Sequence, residues 1–251
     1  MIVFLQARSN SRRYPRKILE PLQDSPLILF QISRIRKSLL VDDVVVLTSI
    51  EHSDDELCRL LDSQNISYFR GDLNDVHLRF RHALAFFGID SGYIMRLTAD
   101  CPLICPEILD SGVEAIKQSD FNYFSNTVLR TFPHGLDFEI LRVEDFLNQP
   151  RAYLTDYDKE HVTPYFYNNP NLYSIGQLIS TIDNSSIRIT VDFPQDLVLV
   201  SEMVGNKAFN QSDRSYSHLL ELYTITMKAR GNSKEFNREQ VFRIKKLGVN
   251  L

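Results

Sequence analysis

The chain has 251 residues, 43% of them hydrophobic, so it can bury a sizeable core and has neither a disordered nor a fibrous composition. Its 28 basic and 32 acidic residues give a net charge of −4, which argues against a nucleic-acid-binding protein. No apolar run approaches the ~20 residues that span a bilayer, and the 3 cysteines form no paired framework. We therefore expect a cytoplasmic protein whose partners are neither nucleic acids nor membranes.

Short apolar runs alternate with amphipathic stretches in the first half of the chain, as in a mostly parallel sheet covered by helices. The strands predicted there cover residues 1–6, 43–48, 67–70 and 93–97. The helices predicted there cover residues 26–38, 53–64, 73–87 and 107–118. Ser53, followed by Glu56 three residues later, predicts a capping box for the second of these helices.

The second half shows a less regular order of elements. Its predicted strands cover residues 121–125, 138–142 and 187–191. Its predicted helices cover residues 143–148, 159–167 and 195–204. Without a repeat or a low-complexity linker, the pattern predicts one α/β domain over residues 1–251, with a core in 1–204 and a polar, helical tail in 212–251.

The most informative segment is the basic loop, residues 6–17, which follows the first predicted strand. Its cationic residues are Arg8, Arg12, Arg13, Arg16 and Lys17. Open α/β sheets bind ligands at the carboxyl ends of their strands, and small loop residues allow backbone N–H groups to approach an anion. The loop is neither a P-loop nor a dinucleotide fingerprint. It therefore indicates a polyphosphate site or, alternatively, a solvated basic surface.

Two aspartates follow predicted strands. Asp100 comes after 93–97 and Asp192 after 187–191, and parallel strands would bring both to the edge that carries the basic loop. Carboxylate oxygens suit hard divalent cations, so the pair predicts a metal site. Each aspartate could instead cap the helix that follows it, and Asp196 fits the first turn of the last core helix.

The loop sequence LQARSNSRRYPRK resembles the opening signature of the cytidylyltransferases, which include CMP-Kdo synthetases, acylneuraminate cytidylyltransferases and SpsF-like proteins. Asn10 stands where that family usually has glycine. The segments RLTADCPLI and TVDFPQDL are similar to two further motifs of the family. The resemblance implies a Rossmann-like, three-layer nucleotide-diphospho-sugar transferase fold, with a mostly parallel sheet flanked by helices.

The resemblance also implies roles for individual residues. As catalytic residues it implies Arg8, Lys17, Asp100 and Asp192, the two aspartates being the ligands of Mg²⁺. As nucleotide-binding residues it implies Gln6, Ala7, Arg8, Ser11, Arg13, Lys17, Gly71 and Asp75. As substrate-binding residues it implies Arg130, His134, Asp137, Glu139, Glu160 and His161, although each of these could be an ordinary cap or hairpin residue.

The reaction that the resemblance implies is transfer of CMP from CTP to a hydroxyl of a sugar or of a nonulosonate-like sugar acid, with release of pyrophosphate. It further implies a role in surface polysaccharide or glycan biosynthesis and a homodimer. Three alternatives stay open. A glycosyltransferase of the same fold would release a nucleoside diphosphate. A guanylyl- or uridylyltransferase would typically carry a glycine-rich opening loop. A non-catalytic nucleotide-binding protein is compatible with Asn10 and with Ala99, which replaces another glycine of the family motif.

Overall fold

The computed structural model describes residues 1–231 and 242–247. Within them the strands are β1 (Ile2–Gln6), β2 (Pro21–Leu22), β3 (Ser25–Pro26), β4 (Asp43–Ser49), β5 (Tyr68–Gly71), β6 (Tyr93–Thr98), β7 (Tyr123–Ser125), β8 (Glu139–Arg142), β9 (Ile175–Ser180) and β10 (Phe242–Leu247). The α-helices of the same residues are α1 (Leu27–Ile35), α2 (Asp55–Ser63), α3 (Val76–Phe86), α4 (Pro106–Lys117), α5 (Val143–Leu147), α6 (Asp156–His161), α7 (Pro164–Asn168), α8 (Pro194–Gly205) and α9 (Tyr216–Ala229).

The central sheet is built outward from β1. In the described residues it has eight strands in the order β10-β9-β7-β8-β6-β1-β4-β5. The strands β6, β1, β4 and β5 are mutually parallel, and β7 is parallel to β9. β8 and β10 run antiparallel to their neighbours. The mostly parallel α/β sheet expected from the sequence is confirmed, and β1 brings the start of the basic loop to its ligand-binding edge.

Helices cover both faces of the sheet because successive strand residues point to opposite sides. Val3 and Leu5 join a large apolar cluster with α1, α2, α4, α8 and α9. Phe4 points the other way, into a second cluster with α3, α5 and α7. The result is the predicted three-layer architecture. In the part of the chain that the structure describes, no helix is long and apolar enough to cross a membrane.

The predicted strand 187–191 is wrong. These residues are extended, with Ile187, Ile189 and Val191 buried, which explains the strand-like pattern. Their hydrogen bonds, however, go to loops: Ile189 N–H donates to the His134 carbonyl, and Val191 N–H donates to the Asp100 carbonyl. Arg188 forms only an isolated bridge with His134. The segment thus lies beside the sheet edge instead of extending the sheet.

The sheet contains a strand that the sequence pattern did not indicate, β9. Gly176 and Gln177 interrupt its apolar run. Gly176 is required there because an added Cβ would lie 2.5 Å from the rings of Phe121 and Phe124. The buried amide of Gln177 donates to the Ser125 hydroxyl at 2.7 Å. Side-chain packing, and not local sequence pattern, therefore specifies this strand.

Three further predictions need correction. The expected capping box at Ser53 and Glu56 does not form, because the chain turns through a 3₁₀ segment, His52–Asp54, before α2 begins. The helix expected over 159–167 is split into α6 and α7 at Val162. The tail expected to be helical contains α9 but also the strand β10, while residues 232–241 and 248–251 lie outside the described residues.

Gly135 fixes the distance between the 133–136 turn and the 187–191 segment. Its φ is +109°, a conformation that glycine adopts readily and other residues avoid. A Cβ at this position would lie 2.9 Å from the backbone carbon of Ile189. The segment that ends at Asp192 can therefore pack closely only because residue 135 is glycine.

We predict that Gly135→Ala lowers the free energy of unfolding by about 2 kcal/mol or more, through backbone strain and displacement of the segment. Gly205→Ala is the control, since Gly205 ends α8 and an added Cβ would meet nothing within 4 Å. It should change stability by less than about 1 kcal/mol. Urea unfolding of both variants tests this, and equal effects would contradict the role given to Gly135.

Candidate active site

A polar cleft opens at the carboxyl ends of β1 and β6. This main cleft has a volume of about 270 Å³. It is lined by Gln6, Ala7, Arg8, Ser11, Arg13, Lys17, Ile18, Val76, Arg79, Arg96, Thr98, Ala99, Asp100, Glu160, His161 and Asp192. Residues from the basic loop, from β6 and from the 187–192 segment thus meet in one place. All four residues expected to be catalytic are among them.

Lys17 connects the three parts of the main cleft. Its side chain is 9% exposed, and its ammonium lies 3.3 Å from Asp100 Oδ2 and 3.1 Å from Asp192 Oδ1. The ammonium also donates to the Val191 carbonyl at 2.6 Å. A buried cation needs such partners, because leaving water without them is costly. One lysine therefore joins two carboxylates that are far apart in sequence.

The Asp100 carboxylate is held in its ionised form. Burial alone would raise the pKa of Asp100, but the Lys17 charge and hydrogen bonds from Thr98 and Cys101 lower it below its ordinary value. The Thr98 hydroxyl donates to Oδ1 at 2.7 Å. Asp100 is therefore negatively charged at neutral pH and can interact with a cation.

Asp192 is oriented by charges on both of its oxygens. Arg13 donates to Oδ1 at 2.6 Å and Arg188 donates to Oδ2 at 2.7 Å. The Asp196 carboxylate accepts the backbone N–H groups of Asp192 and Phe193 at 2.8 and 2.9 Å. The expectation that Asp196 belongs to the first turn of α8 is confirmed, and this cap fixes the backbone on which Asp192 sits.

The arginines of the basic loop point in different directions. Arg13 lies over the Phe193 ring, 5.4 Å from its centroid, and faces the main cleft. Arg8 also lines the cleft, with its guanidinium 4.0 Å from Glu160. Arg16, in contrast, forms two 2.7 Å hydrogen bonds with the exposed carboxylate of Glu56. The loop therefore presents Arg8 and Arg13 to the cleft and keeps Arg16 on the outer surface.

The basic loop is anchored by Asp54, a residue that the sequence did not single out. Its fully buried carboxylate accepts the Ser9 N–H at 2.6 Å, the Ser49 N–H at 3.1 Å and the Ser49 hydroxyl. The Ala7 N–H donates to the Leu47 carbonyl and the Ser11 N–H to the Ser9 carbonyl. These three loop amides are thus engaged inside the protein, so the expectation that small loop residues offer their N–H groups to an anion does not hold for them.

Gly71 and Asp75 lie at the far side of the basic loop and serve packing as well. A Cβ on Gly71 would lie 2.7 Å from Cγ of Arg79, which is buried and donates to the carbonyls of Asp72, Leu47 and Leu73. Burial lowers the pKa of Arg79 to about 10.

Asp75 caps α3 through the Leu78 N–H and pairs with Arg151 at 2.5 Å. Asp75 also lines an outer recess of about 780 Å³ beside the basic loop.

A second cavity adjoins the main cleft. This side cavity has a volume of about 200 Å³. It is lined by Arg96, Leu97, Thr98, Thr127, Arg130, Asp137, Phe138, Glu139, Tyr157, His161, Thr163 and Tyr167. Arg96, Thr98 and His161 line both spaces, so the two lie next to each other. Of the residues predicted to bind the substrate, the side cavity is lined by Arg130, Asp137, Glu139 and His161. Glu160 lines only the main cleft and the outer recess, and His134 lines none of the three spaces.

His161 is positioned by a strained turn. Val162 has φ +74° and ψ −49°, and the Thr163 N–H donates to the His161 carbonyl at 2.9 Å, which together describe a γ-turn. A buried β-branched residue rarely adopts this conformation. The turn ends α6 and directs Thr163 to the buried carboxylate of Glu139. Strain of this kind is typically found where side chains are held for function.

Several residues that shape the site were not predicted from the sequence. Arg96 belongs to the RLTADCPLI segment, but only the fold shows that it pairs with Glu139 and with the Gln6 amide oxygen. Arg188 and Asp54 were not singled out either. Arg188 pairs with Asp192 only four residues later, whereas Asp54 binds the Ser9 N–H, 45 residues away in the sequence. The position of Arg96 two residues before the Thr98–Asp100 turn was the one available clue, since alternate strand residues share a face.

The fold and the main cleft together indicate an α/β protein that binds a polyphosphate ligand. A lysine between two carboxylates, beneath a cationic loop at the carboxyl edge of a parallel sheet, is suited to a polyphosphate ligand.

Comparison with known proteins specifies that class. The family model described as cytidylyltransferase matches residues 2–246. MJ1063 of Methanocaldococcus jannaschii, an uncharacterized protein, is 33% identical over 81% of this chain and 82% of its own length. The spore coat polysaccharide biosynthesis protein SpsF of Bacillus subtilis is 30% identical over 88% of this chain and 93% of its own. A cytidylyltransferase structure from Leptospira borgpetersenii has a TM-score of 0.82 at 28% identity, covering 94% of this chain and 99% of that one.

The chain belongs to the cytidylyltransferase family and is a CTP-dependent nucleotidyltransferase. The resemblance noted in the basic loop and in the two aspartate motifs is thereby confirmed. The Rossmann-like fold of the family is confirmed as well.

We predict that Asp54→Asn loosens the basic loop and lowers the free energy of unfolding by about 2 kcal/mol at pH 7, because hydrogen bonds to a buried charge are lost. Asp55→Asn, on the exposed side of the same turn, should have a much smaller effect. Both are measured by urea unfolding at pH 7, and a larger loss for Asp55→Asn would contradict the anchoring role.

The same carboxylate predicts a pH dependence. Burial tends to raise the pKa of Asp54, but hydrogen bonds from Ser49 and Ser9 lower it below its ordinary value. A lowered folded-state pKa stabilises the protein above the unfolded value of about 3.9, and that stability is lost as the pH falls through the folded value. Unfolding measured from pH 7 to pH 3 should show a smaller acid loss for Asp54→Asn than for the wild type.

Proposed function

We propose that the protein transfers CMP from CTP to a hydroxyl group of a sugar or sugar acid and releases pyrophosphate. The observation that carries the proposal is the Lys17 ammonium, held between Asp100 and Asp192 beneath the cationic side of the basic loop. Nucleotidyl transfer needs positive charge around the phosphates and an orienting cation, and the main cleft offers the groups for both.

The nucleotide is proposed to bind in the main cleft. Arg8, Arg13 and Lys17 line it and carry the positive charge for a triphosphate. Gln6, Ala7 and Ser11 line the same space and would border the nucleotide. Gly71 and Asp75 would act at the end of the site that takes the nucleobase. They flank the loop whose Asp72 and Leu73 carbonyls accept hydrogen bonds from Arg79.

The main cleft also suits a divalent cation. The side chains of Asp100 and Asp192 both face it and share the Lys17 ammonium, and Asp192 also accepts from Arg13 and Arg188. Among the described residues no group of three His, Cys, Asp or Glu side chains forms a metal cage. Mg²⁺ in nucleotide enzymes is commonly held by one or two carboxylates together with substrate phosphates, so two aspartates fit it. The ion would neutralise charge on the α-phosphate.

The acceptor is proposed to occupy the side cavity, next to the main cleft. Arg130, Asp137, Glu139 and His161 line this cavity. Glu160 would act from the main cleft, and His134 would act through its backbone hydrogen bonds to the 187–191 segment. An acceptor hydroxyl placed at the junction, near His161, faces the cleft where the α-phosphorus would lie. Holding the two reactants in adjoining spaces lowers the barrier by orientation.

Two broader features belong to the same proposal. The similarity to SpsF, a spore coat polysaccharide biosynthesis protein, supports a role in surface polysaccharide or glycan synthesis. We propose that the protein acts in the cytoplasm. We further propose a homodimer, supported by the exposed apolar residues Val128 and Leu129 next to the side-cavity residue Thr127.

The product distinguishes this proposal from its nearest alternative. A glycosyltransferase of the same fold would consume a nucleotide sugar and release a nucleoside diphosphate, whereas the proposed reaction consumes CTP and releases pyrophosphate. Incubation with each of the four nucleoside triphosphates, Mg²⁺ and a panel of sugars and nonulosonic acids tests it. Pyrophosphate release dependent on CTP supports the proposal, and its absence across the panel contradicts it.

Asp100→Asn should lower pyrophosphate release by about 100-fold or more, because the carboxylate charge opposite Lys17 is removed at the reacting phosphate. The matched control is Asp183→Asn, since Asp183 is an exposed aspartate outside both cavities. Rates are compared with the most active acceptor of the panel. A near-normal rate for Asp100→Asn would rule out its proposed role.

Arg13→Gln and Arg16→Gln form a matched pair within the basic loop. Arg13 faces the main cleft and Arg16 faces Glu56. A hydrogen bond to a charged group contributes about 1.5–3 kcal/mol, so Arg13→Gln should weaken CTP binding by about 10- to 100-fold. Arg16→Gln should change it by less than about twofold. Calorimetric titration with CTP and Mg²⁺ measures both, and equal losses would refute the assigned orientations.

A further inference from the structure

Both guanidinium groups in the side cavity already have carboxylate partners. Arg130 forms two hydrogen bonds with Asp137, from Nη1 to Oδ1 at 2.5 Å and from Nη2 to Oδ2 at 2.9 Å. This parallel arrangement occupies the Nη1–Nη2 edge of the guanidinium, one of the two edges at which a carboxylate can form two hydrogen bonds, and Asp137 neutralises its charge. The pair is only 20% and 27% exposed. An anionic ligand would therefore have to displace Asp137 or share its cation.

The second guanidinium is paired even more completely. Arg96 donates Nη1 to Glu139, and its Nε and Nη2 donate to the Gln6 amide oxygen at 3.2 and 2.8 Å. The other oxygen of Glu139 accepts from the Tyr123 and Thr163 hydroxyls. Both side chains of the pair are 10% exposed. Separating a buried, fully hydrogen-bonded ion pair is strongly unfavourable, so Arg96 is not available for a ligand anion.

The charges that line the side cavity therefore cancel. Its cations are Arg96 and Arg130, and its anions are Asp137 and Glu139. His161 also lines this cavity, as an exposed side chain at the junction with the main cleft. A ligand carboxylate would add a third negative charge to two that are already balanced. Burying an unbalanced charge is strongly unfavourable.

The cavity does offer neutral hydrogen-bonding groups. The hydroxyl-bearing residues Thr127, Tyr157 and Tyr167 line it beside the two ion pairs, while the Thr163 hydroxyl already donates to Glu139. Burial raises the pKa of Tyr167, so its phenol stays neutral. Hydroxyl groups and the outer edges of ion pairs can bind the hydroxyls of a carbohydrate without a net charge on the ligand. The lining thus matches a polyol surface.

We propose that the side cavity selects an uncharged, hydroxyl-rich sugar as acceptor and disfavours a sugar acid, because Asp137 neutralises the one guanidinium that could bind a carboxylate. This inference rests on the proposed function, in that it assigns the acceptor to the side cavity. It also narrows that function, which by itself admits both neutral sugars and sugar acids. Asp137 is accordingly a specificity-determining residue.

The test uses two ligands of the same shape that differ in charge, D-glucuronate and D-glucuronamide. Their dissociation constants are measured by NMR titration against the wild type and against Asp137→Asn, Asp137→Ser and the control Asp90→Asn. Asp90 is exposed and precedes β6, at the opposite edge of the sheet. The wild type should bind the amide at least as tightly as the acid. Both Asp137 variants should shift the preference toward the acid by at least about tenfold, and Asp90→Asn should not.

Two results would overturn the inference. One is a wild-type preference for glucuronate of about tenfold or more, a measurement that needs no variant. The other is the failure of folded Asp137 variants to gain affinity for glucuronate. The proposed function fails in a different way, by loss of CTP-dependent pyrophosphate release in the wild type. The two failures are therefore distinguishable.

Discussion

The interaction on which the rest of the site depends is the one between Lys17 and the carboxylates of Asp100 and Asp192. Three segments far apart in the chain meet at this ammonium: the basic loop, the end of β6 and the extended residues 187–191. Because the lysine is buried, each partner is needed to offset its lost hydration. The same requirement makes the site sensitive to structure elsewhere. Asp54 holds the loop and Gly135 lets the 187–191 segment approach, although neither touches the main cleft.

Part of this arrangement can be predicted from the sequence. The predicted strands 1–6, 43–48 and 93–97 follow from apolar runs, and the strand-end position of Asp100 follows from the last of them. The basic loop was identified because its charge contrasts with an acidic chain. Asp192 was also identified, but from a strand that does not exist. Its segment alternates buried and exposed residues while it hydrogen-bonds to loops, and alternation alone cannot reveal the partner.

The remainder could not be predicted, since it depends on contacts between distant residues. The strand β9 contains Gly176 because aromatic rings pack on it, and nothing local indicates those rings. Asp75 and Glu139 were expected to bind ligands, and the fold additionally pairs them with Arg151 and Arg96. An acidic residue looks the same in a sequence whether its charge is free or already neutralised. That distinction decides what the side cavity can bind.

The central claim is that Lys17 supplies positive charge where a divalent cation would act. Electron paramagnetic resonance of Mn²⁺, titrated without nucleotide, tests it directly. Removing the competing ammonium in Lys17→Met should tighten Mn²⁺ binding by about tenfold or more, and a second substitution, Asp192→Asn, should abolish the gain. Mn²⁺ binding that is unchanged or weaker in Lys17→Met would contradict the account.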